Sequence, residues 1–404
     1  MGTRYSFGMM TTAGHGGPCS GLRILDFTTV VSGPICTQAL GDLGADVIKV
    51  ETLSGDMSRT TSGPFHAGLS GFFTQFNRNK RSMALDLKSD SGREVVKRLI
   101  GHCDVLVENF RPDVMDRLGI GWETLRSIHP GLVYVSISGF GPDGPYSPLP
   151  AYDHVVQGIT GMMPVQGGPG SPQMFRSVVA DKAAGLTALS SILAALLAKE
   201  RMGAPGQRID VPMLDAYAGF MLGELMGPLS FPGQEAVPTP FDPFRVYPTA
   251  DGHLVGMVVQ DDQYVAVCQV LGREDLLQDA RFSGLAQRFQ NYDDLAEVLT
   301  AAFRSWPTED LAARLREAGA PFAAVNDLES CLRDEQFQHN RVVEEIEDPD
   351  VSVRVLRSPA RFSETPIPPL RRPPLLGEHT DEILSLGGYS EEEIGRLRDQ
   401  AVVA

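Results

Sequence analysis

The chain has 404 residues, 42% of them hydrophobic, with 35 basic and 51 acidic side chains. That length predicts two or three domains with an ample apolar core, so neither disulfides nor a structural metal is needed for stability. The formal net charge of −16 opposes nonspecific binding to nucleic acid or an anionic membrane, but leaves room for a small anionic ligand in a local basic pocket.

The first segment, MGTRYSFGMMTTAGHGGPCSG, is rich in Gly and Thr and has no apolar stretch of the kind a secretory signal needs. Residues 1–20 therefore read as a flexible leader. No apolar run is expected to approach the ~18–20 residues of a membrane span. Cys19, Cys36, Cys103, Cys268 and Cys331 are widely spaced, odd in number and form no CxxC pair. Such usage fits a reducing cytoplasm and argues against a zinc site.

Regular structure is predicted from Leu22. LRILDF is a compact apolar run suited to a buried strand, and TTVVSGP follows it as a loop. Ser32 or Gly33 can cap a helix with Pro34 in its first turn, Gly44 ends that helix, and DVIKVE makes the next strand. A strand, helix and strand within ~30 residues form a βαβ unit, which implies a parallel sheet. The alternation continues through RSMALDLK, GREVVKRLIGHC, DVLVENF and LVYVSISGF. The fold class is therefore α/β, with a large open parallel-sheet, Rossmann-like domain. No GxGxxG motif follows the first strand, so a dinucleotide site loses its main support.

DKAAGLTALSSILAALLAKER, from Asp181 to Arg201, is apolar on nearly every face and reads as a buried central helix. PGQRIDVPM makes a turn and short strand, and a helix runs on to about Met226. Residues 227–243 hold five prolines and read as a linker. FRVYPTADGHLVGMVV then signals a hairpin turning at Asp251-Gly252, and amphipathic helices complete a smaller α+β domain over 244–335. The remaining chain, 336–404, includes a Pro-rich extended arm that ends in a helix.

Several residues could carry chemistry. Asp181 stands where a polar loop meets the long apolar helix. It either caps that helix or, facing a cavity, attacks an activated carbonyl as a carboxylate nucleophile. Arg78, Lys80 and Arg81, with Lys88 further on, form a basic cluster that either holds phosphates or lines a solvated sheet edge. Asn109, Phe110 and Arg111 follow a strand, where open α/β sheets bind ligands, and Pro112 starts a short helix carrying Arg117. An aromatic and two arginines there suit an adenine and its phosphates, though an ordinary strand–helix connection would look the same. Tyr152, Asp153 and His154 invite an acid/base reading, but neighbours on a helix diverge by ~100°, so at most two can face one pocket. The histidines show no metal-ligand spacing.

Taken in order, GLRILDFTTVVSGPICTQALGDLGADVIKVE, FNRNKRSMALDLK, VENFRPDVMDRLG, SISGFGPDGPY, VVADKAAGLTALSSILAALLAKERMGAPGQRIDVPMLDA and PLLGEHTDEIL resemble the class III CoA-transferases. That family includes formyl-CoA transferase, carnitine CoA-transferase and the α-methylacyl-CoA racemases. The resemblance covers about residue 20 to the C-terminus. It implies a large CoA-binding domain built from residues 21–226 and the returning 336–404, a small inserted domain, and an interlocked ring-like homodimer. It also implies that Asp181 is the nucleophile, and that Val31, Ser32, Leu85, Lys88, Asn109, Phe110, Arg111, Arg117 and Tyr152 contact CoA. Coenzyme A thioester then enters as substrate beside a carboxylic acid, with no tightly bound cofactor and no metal.

Three departures qualify the resemblance. Thr52 follows Glu51 where relatives often carry Arg, which makes Arg78 the candidate replacement for a phosphate contact. Residues 228–262 lack the glycine-run loop of formyl-CoA transferase, which turns the expectation away from formyl/oxalate chemistry. Where the racemases carry a His-Asp pair, Tyr152 precedes Asp153 and His154 lies on its other side. The expected activity is an acyl-CoA:carboxylate CoA-transferase acting on small or dicarboxylic acids. The alternatives are an α-methylacyl-CoA racemase or acyl-CoA isomerase, and a CoA-binding paralogue without turnover.

Overall fold

The computed structural model describes residues 16–168, 170–233 and 244–404. Most of the expected leader and much of the Pro-rich linker lie outside those residues. The last part of the leader is nonetheless folded, since Cys19 is buried and its N–H donates to the Leu43 carbonyl at 2.8 Å. The chain divides into two compact units, Met1–Glu224 with Arg341–Ala404, and Leu225–Asn340.

The first unit is organised by six parallel strands: β1 (Arg23–Asp26), β2 (Asp46–Glu51), β3 (Lys80–Ala84), β4 (Val105–Glu108), β5 (Val133–Ser138) and β6 (Arg208–Pro212). Their spatial order is β3-β2-β1-β4-β5-β6. This is the doubly wound arrangement expected when each strand feeds a right-handed crossover. Ile24, Leu25, Ile48, Val105, Leu106, Val107, Val133 and Val135 are all fully buried, as befits a parallel sheet covered on both faces.

Helix α1 (Ser32–Asp42) links β1 to β2, and α2 (Asp90–Ile100) links β3 to β4. Helix α2 carries its own signals. The Ser89 hydroxyl accepts from Gly92 N at 3.0 Å, Asp90 sits in the first turn, and Lys97 and Arg98 sit in the last. Between β5 and β6 the chain makes a longer excursion through α3 (Asp153–Ile159) and α4 (Val179–Met202), and α5 (Met213–Met221) follows β6. The C-terminal segment completes this unit. Ile383, Leu384, Ile394, Leu397, Val402 and Val403 join the core formed by Val95, Leu99, Leu106 and Met115, and Leu85 forms a bridge with Val403.

Helix α4 differs from its sequence reading in two ways. With 24 residues it is long and apolar enough, by length and composition alone, to cross a membrane, although no such run was expected. It is also buried on one side only. Ala180, Ala183, Ala184, Gly185, Ala188, Ile192 and Ala195 face inward, while Leu186, Leu193 and Leu197 are exposed. Small side chains on the buried face let α4 approach α1 closely. Burial of that face and membership of a packed α/β unit make it a core helix here.

In the second unit, strands Val246–Pro248, His253–Gly256 and Phe322–Ala324 form an antiparallel sheet, the first two as a hairpin. Helices Asp261–Leu271, Tyr292–Phe303 and Thr308–Glu317 cover an apolar core that includes Tyr247, Leu254, Phe303, Leu311 and Phe322.

Candidate active site

In the order β3-β2-β1-β4 the winding reverses between β1 and β4, so the crevice past the C-terminal ends of these two strands is the natural ligand position. Two loops meet there. Asn109, directly after β4, takes the Thr29 N–H on its Oδ1 at 2.8 Å, and its Nδ2 donates to the Thr29 carbonyl at 2.9 Å and to Ser32 Oγ at 3.1 Å. This side chain stitches the β1–α1 loop to β4 and orients the Ser32 hydroxyl. Phe110 is fixed in turn because its N–H donates to the buried Glu108 carboxyl at 2.8 Å. Burial pushes the Glu108 pKa up to about 7.

Asp181 reaches this crevice from the first turn of α4. It does not cap its own helix. That role falls to Asp153, whose Oδ2 accepts from Ala180 N at 2.6 Å and from Asp181 N at 3.1 Å. The Asp153 Oδ1 accepts from Gln157 Nε2 at 2.5 Å, while Gln157 also bonds the Phe175 N–H at 3.0 Å and the Ser177 carbonyl at 3.1 Å. A carboxylate and an amide from α3 thus satisfy the entry to α4 and leave the Asp181 side chain for other contacts.

The polar groups beside that carboxylate are the Ser32 hydroxyl and main-chain N–H, which favour its ionised form. Ser32 opens α1, so the carboxylate lies at the positive end of that helix. Gly185 makes the approach possible. A Cβ there would lie 2.1 Å from Ile35 Cγ2 and 2.5 Å from the Ser32 carbonyl oxygen. Opposing influences act on the acid. Burial pushes its pKa up and the neighbouring Asp153 adds to the rise, while the Ser32 bonds pull it down, leaving it at about 6. At neutral pH it is ionised and partly open to solvent, a state suited to nucleophilic attack.

The other expected residues fall into distinct places. Val31 and Ser32 are buried at the start of α1 beside Asp181. Lys88, Arg111 and Arg117 are exposed on the segments that leave β3 and β4 at this edge of the sheet. Leu85 is fully buried in the core, so its side chain is not presented at the crevice. Tyr152 is exposed and its ring stacks on His154, centroids 5.8 Å apart and planes within 4°. Of that Tyr-Asp-His string only Asp153 turns inward, as the helical divergence requires.

Arg78 is a correction. It is buried, its Nε donates to Asp42 Oδ1 at 3.0 Å, and its Nη2 pairs with Asp42 Oδ2. A guanidinium committed to a buried carboxylate is not a phosphate ligand at the surface. Lys80 is likewise enclosed, donating to Asp26 Oδ2 at 3.0 Å. The sequence offered Asp153 for acid/base work and missed its role as the cap of α4, and Gln157 and Gly185 were not identified from sequence. Their partners lie on other elements, and the sole hint was that at most two members of the Tyr-Asp-His string could face one pocket. Among the described residues, no group of three or more His, Cys, Asp or Glu side chains is placed to hold a metal.

A doubly wound parallel sheet with a half-buried carboxylate at its switch point, and no glycine-rich phosphate loop after β1, defines a Rossmann-like α/β fold. The chain belongs to CoA-transferase family III, which it matches over residues 19–380, and it is an enzyme of the CoA-transferase class. It is 33% identical to human succinyl-CoA:glutarate CoA-transferase over 96% of this chain and 90% of that protein. It is 31% identical to formyl-CoA:oxalate CoA-transferase of Streptomyces coelicolor, covering 95% and 98% of the two chains. A crystal structure of a CAIB/BAIF family protein from Brucella suis superposes with a TM-score of 0.81 at 33% identity, covering 92% of this chain and 100% of that one.

Proposed function

We propose that this CoA-transferase moves CoA between small or dicarboxylic acids through Asp181. An Asp181 oxygen attacks the donor thioester carbonyl, the C–S bond breaks, and an aspartyl–acyl anhydride and CoA thiolate form. The thiolate attacks the aspartyl carbonyl, giving an aspartyl-CoA thioester and releasing the donor acid. The acceptor carboxylate attacks that thioester, and the thiolate it frees attacks the new acyl carbonyl, regenerating Asp181. The proposed role of the Ser32 N–H, at the α1 terminus, is to stabilise the negative oxygen that develops during addition.

The observation that carries this reading is the release of Asp181 from capping, which Asp153 takes over, with Ser32 at the start of α1 beside the freed carboxylate. Proton exchange at an α-carbon needs a second base. The residue nearest that role, Asp153, is committed to two main-chain N–H groups and Gln157. Succinate and glutarate head the panel of acids, because relatives that carry those names match most of the chain. Lys88, Arg111 and Arg117 are the proposed contacts for the CoA phosphates, with Phe110 for the adenine. The exposed Leu186, Leu193 and Leu197 are where a second chain of an interlocked homodimer would sit.

The test incubates the enzyme with succinyl-CoA and a panel of acids, then adds hydroxylamine. A hydroxamate on Asp181, absent in Asp181→Ala, is the expected result. Deuterium uptake at the α-carbon without exchange of CoA between acids would refute the reading.

A further inference from the structure

The loop that presents Ser32 is held with unusual completeness. Three consecutive main-chain N–H groups donate to side chains from three different segments, the end of β1, the residue after β4 and the loop after β2. Thr28 N donates to Asp26 Oδ1 at 2.9 Å, Thr29 N to Asn109 Oδ1 at 2.8 Å, and Val30 N to Asp56 Oδ2 at 3.2 Å. The third clamp is of a different kind, because Val30 has φ of 66°. A β-branched residue in the left-handed region is sterically penalised and persists only where its surroundings impose it.

Asp56 is imposed upon in turn. Its Oδ1 takes the Ser58 N–H at 2.9 Å and the Ser58 hydroxyl at 2.8 Å, and Lys49 Nζ reaches its Oδ2 at 3.1 Å. Lys49 also donates to the Thr28 carbonyl at 2.7 Å, so one ammonium grips both the carboxylate that holds Val30 and the loop itself. The side chains of Lys49 and Asp56 are both wholly inaccessible. A buried ion pair is a weak source of stability, since desolvation of both charges offsets their attraction. A strained main chain two residues from Ser32 gives the pair another role.

We propose that the buried Lys49–Asp56 pair is a positioning device that holds Val30 in the left-handed conformation and thereby fixes the α1 terminus against Asp181. Lys49 and Asp56 do not touch substrate; they act through the loop. If φ at Val30 relaxes to the ordinary negative region, the path from β1 to α1 changes, and the Ser32 N–H and hydroxyl lose their aim. Ser32 sits next to the tight contact at Gly33, where a Cβ would lie 2.1 Å from Thr28 Cγ2, so the loop has little slack to absorb that change. The kinetic consequence, though not the positioning itself, rests on the reading of Asp181 as nucleophile.

The experiment compares Asp56→Asn with the double variant Asp56→Asn/Val30→Gly in the full-length enzyme. Hydrogen exchange of the segment 28–33 is read together with kcat and KM for transfer from succinyl-CoA. The Asn variant is expected to exchange faster there and to lose kcat by about tenfold or more with KM for the thioester little changed, the pattern of an interaction felt in the transition state. Adding Val30→Gly is expected to restore protection and most of kcat, because glycine takes positive φ unaided. A purely structural Asp56 would leave the double variant no better than the single one, and that result overturns the proposal. Should Asp56→Asn not fold, Val30→Gly alone decides. Relief of strain is expected to hold or raise its melting temperature, and a fall of several degrees overturns the proposal. If the unaltered enzyme transfers no CoA, the proposed function fails, and the exchange comparison still decides the positioning role.

Discussion

Asp181→Asn should make this protein more stable at neutral pH, the opposite of what replacing a helix cap does. The carboxyl rises from 3.8 to about 6 on folding, chiefly through burial and then through Asp153. At 1.36 kcal/mol per pKa unit, that rise corresponds to about 3 kcal/mol. Partial exposure of Asp181 screens part of this, so about 1–3 kcal/mol is the expected range. The native state holds the proton more tightly than the unfolded chain does. Stability therefore falls as pH rises between about 4 and about 6, and the full penalty is present above about 7. Asparagine keeps an acceptor for Ser32 but carries no charge to bury beside Asp153.

The assay is urea unfolding at several pH values between 4 and 8, followed by Trp122 fluorescence in a Trp306→Phe background, since Trp122 lies in the first unit and Trp306 in the second. The variant should exceed the parent at pH 7.5, and the gap should close toward pH 4. A variant less stable than the parent by about 1 kcal/mol at pH 7.5 is the signature of a lost cap, and it would refute the assignment of capping to Asp153.

Two further outcomes follow from the same geometry. Gly185→Ala should cost about 1–3 kcal/mol, because its Cβ meets a main-chain oxygen that cannot rotate away. It should also lower kcat more than CoA affinity by moving Ser32 from Asp181, as steady-state kinetics and calorimetric CoA titration would show. Arg78→Ala should lose about 3–5 kcal/mol in urea unfolding by leaving Asp42 buried and unpaired. The folded enzyme should still bind CoA with near-parent affinity in the same titration, whereas a large loss of affinity would return Arg78 to the phosphate site.

The parallel sheet was legible in the sequence because its strands are buried on both faces and read as continuous apolar runs. DVIKVE is β2 without adjustment, and DVLVENF and LVYVSISGF contain β4 and β5. A strand end then pointed to Asn109, since ligand crevices in such sheets have a fixed location, while Ser32 came from the family resemblance. The basic cluster misled because composition counts charges without their partners. Arg78 and Lys80 meet Asp42 and Asp26 only through tertiary packing.

By itself, the sequence determined an α/β enzyme whose key carboxylate opens a long apolar helix, and the ordered motifs carried the family resemblance. Only the tertiary structure decided what that carboxylate is free to do. Capping is a local rule, and locally Asp181 fits it. The actual cap arrives from Asp153, 28 residues away, and the partner that binds the released carboxylate comes from α1. Periodicity and composition describe a residue's own element. Which neighbour fills a helix terminus, or holds Val30 in its strained turn, depends on how elements distant in the chain pack together.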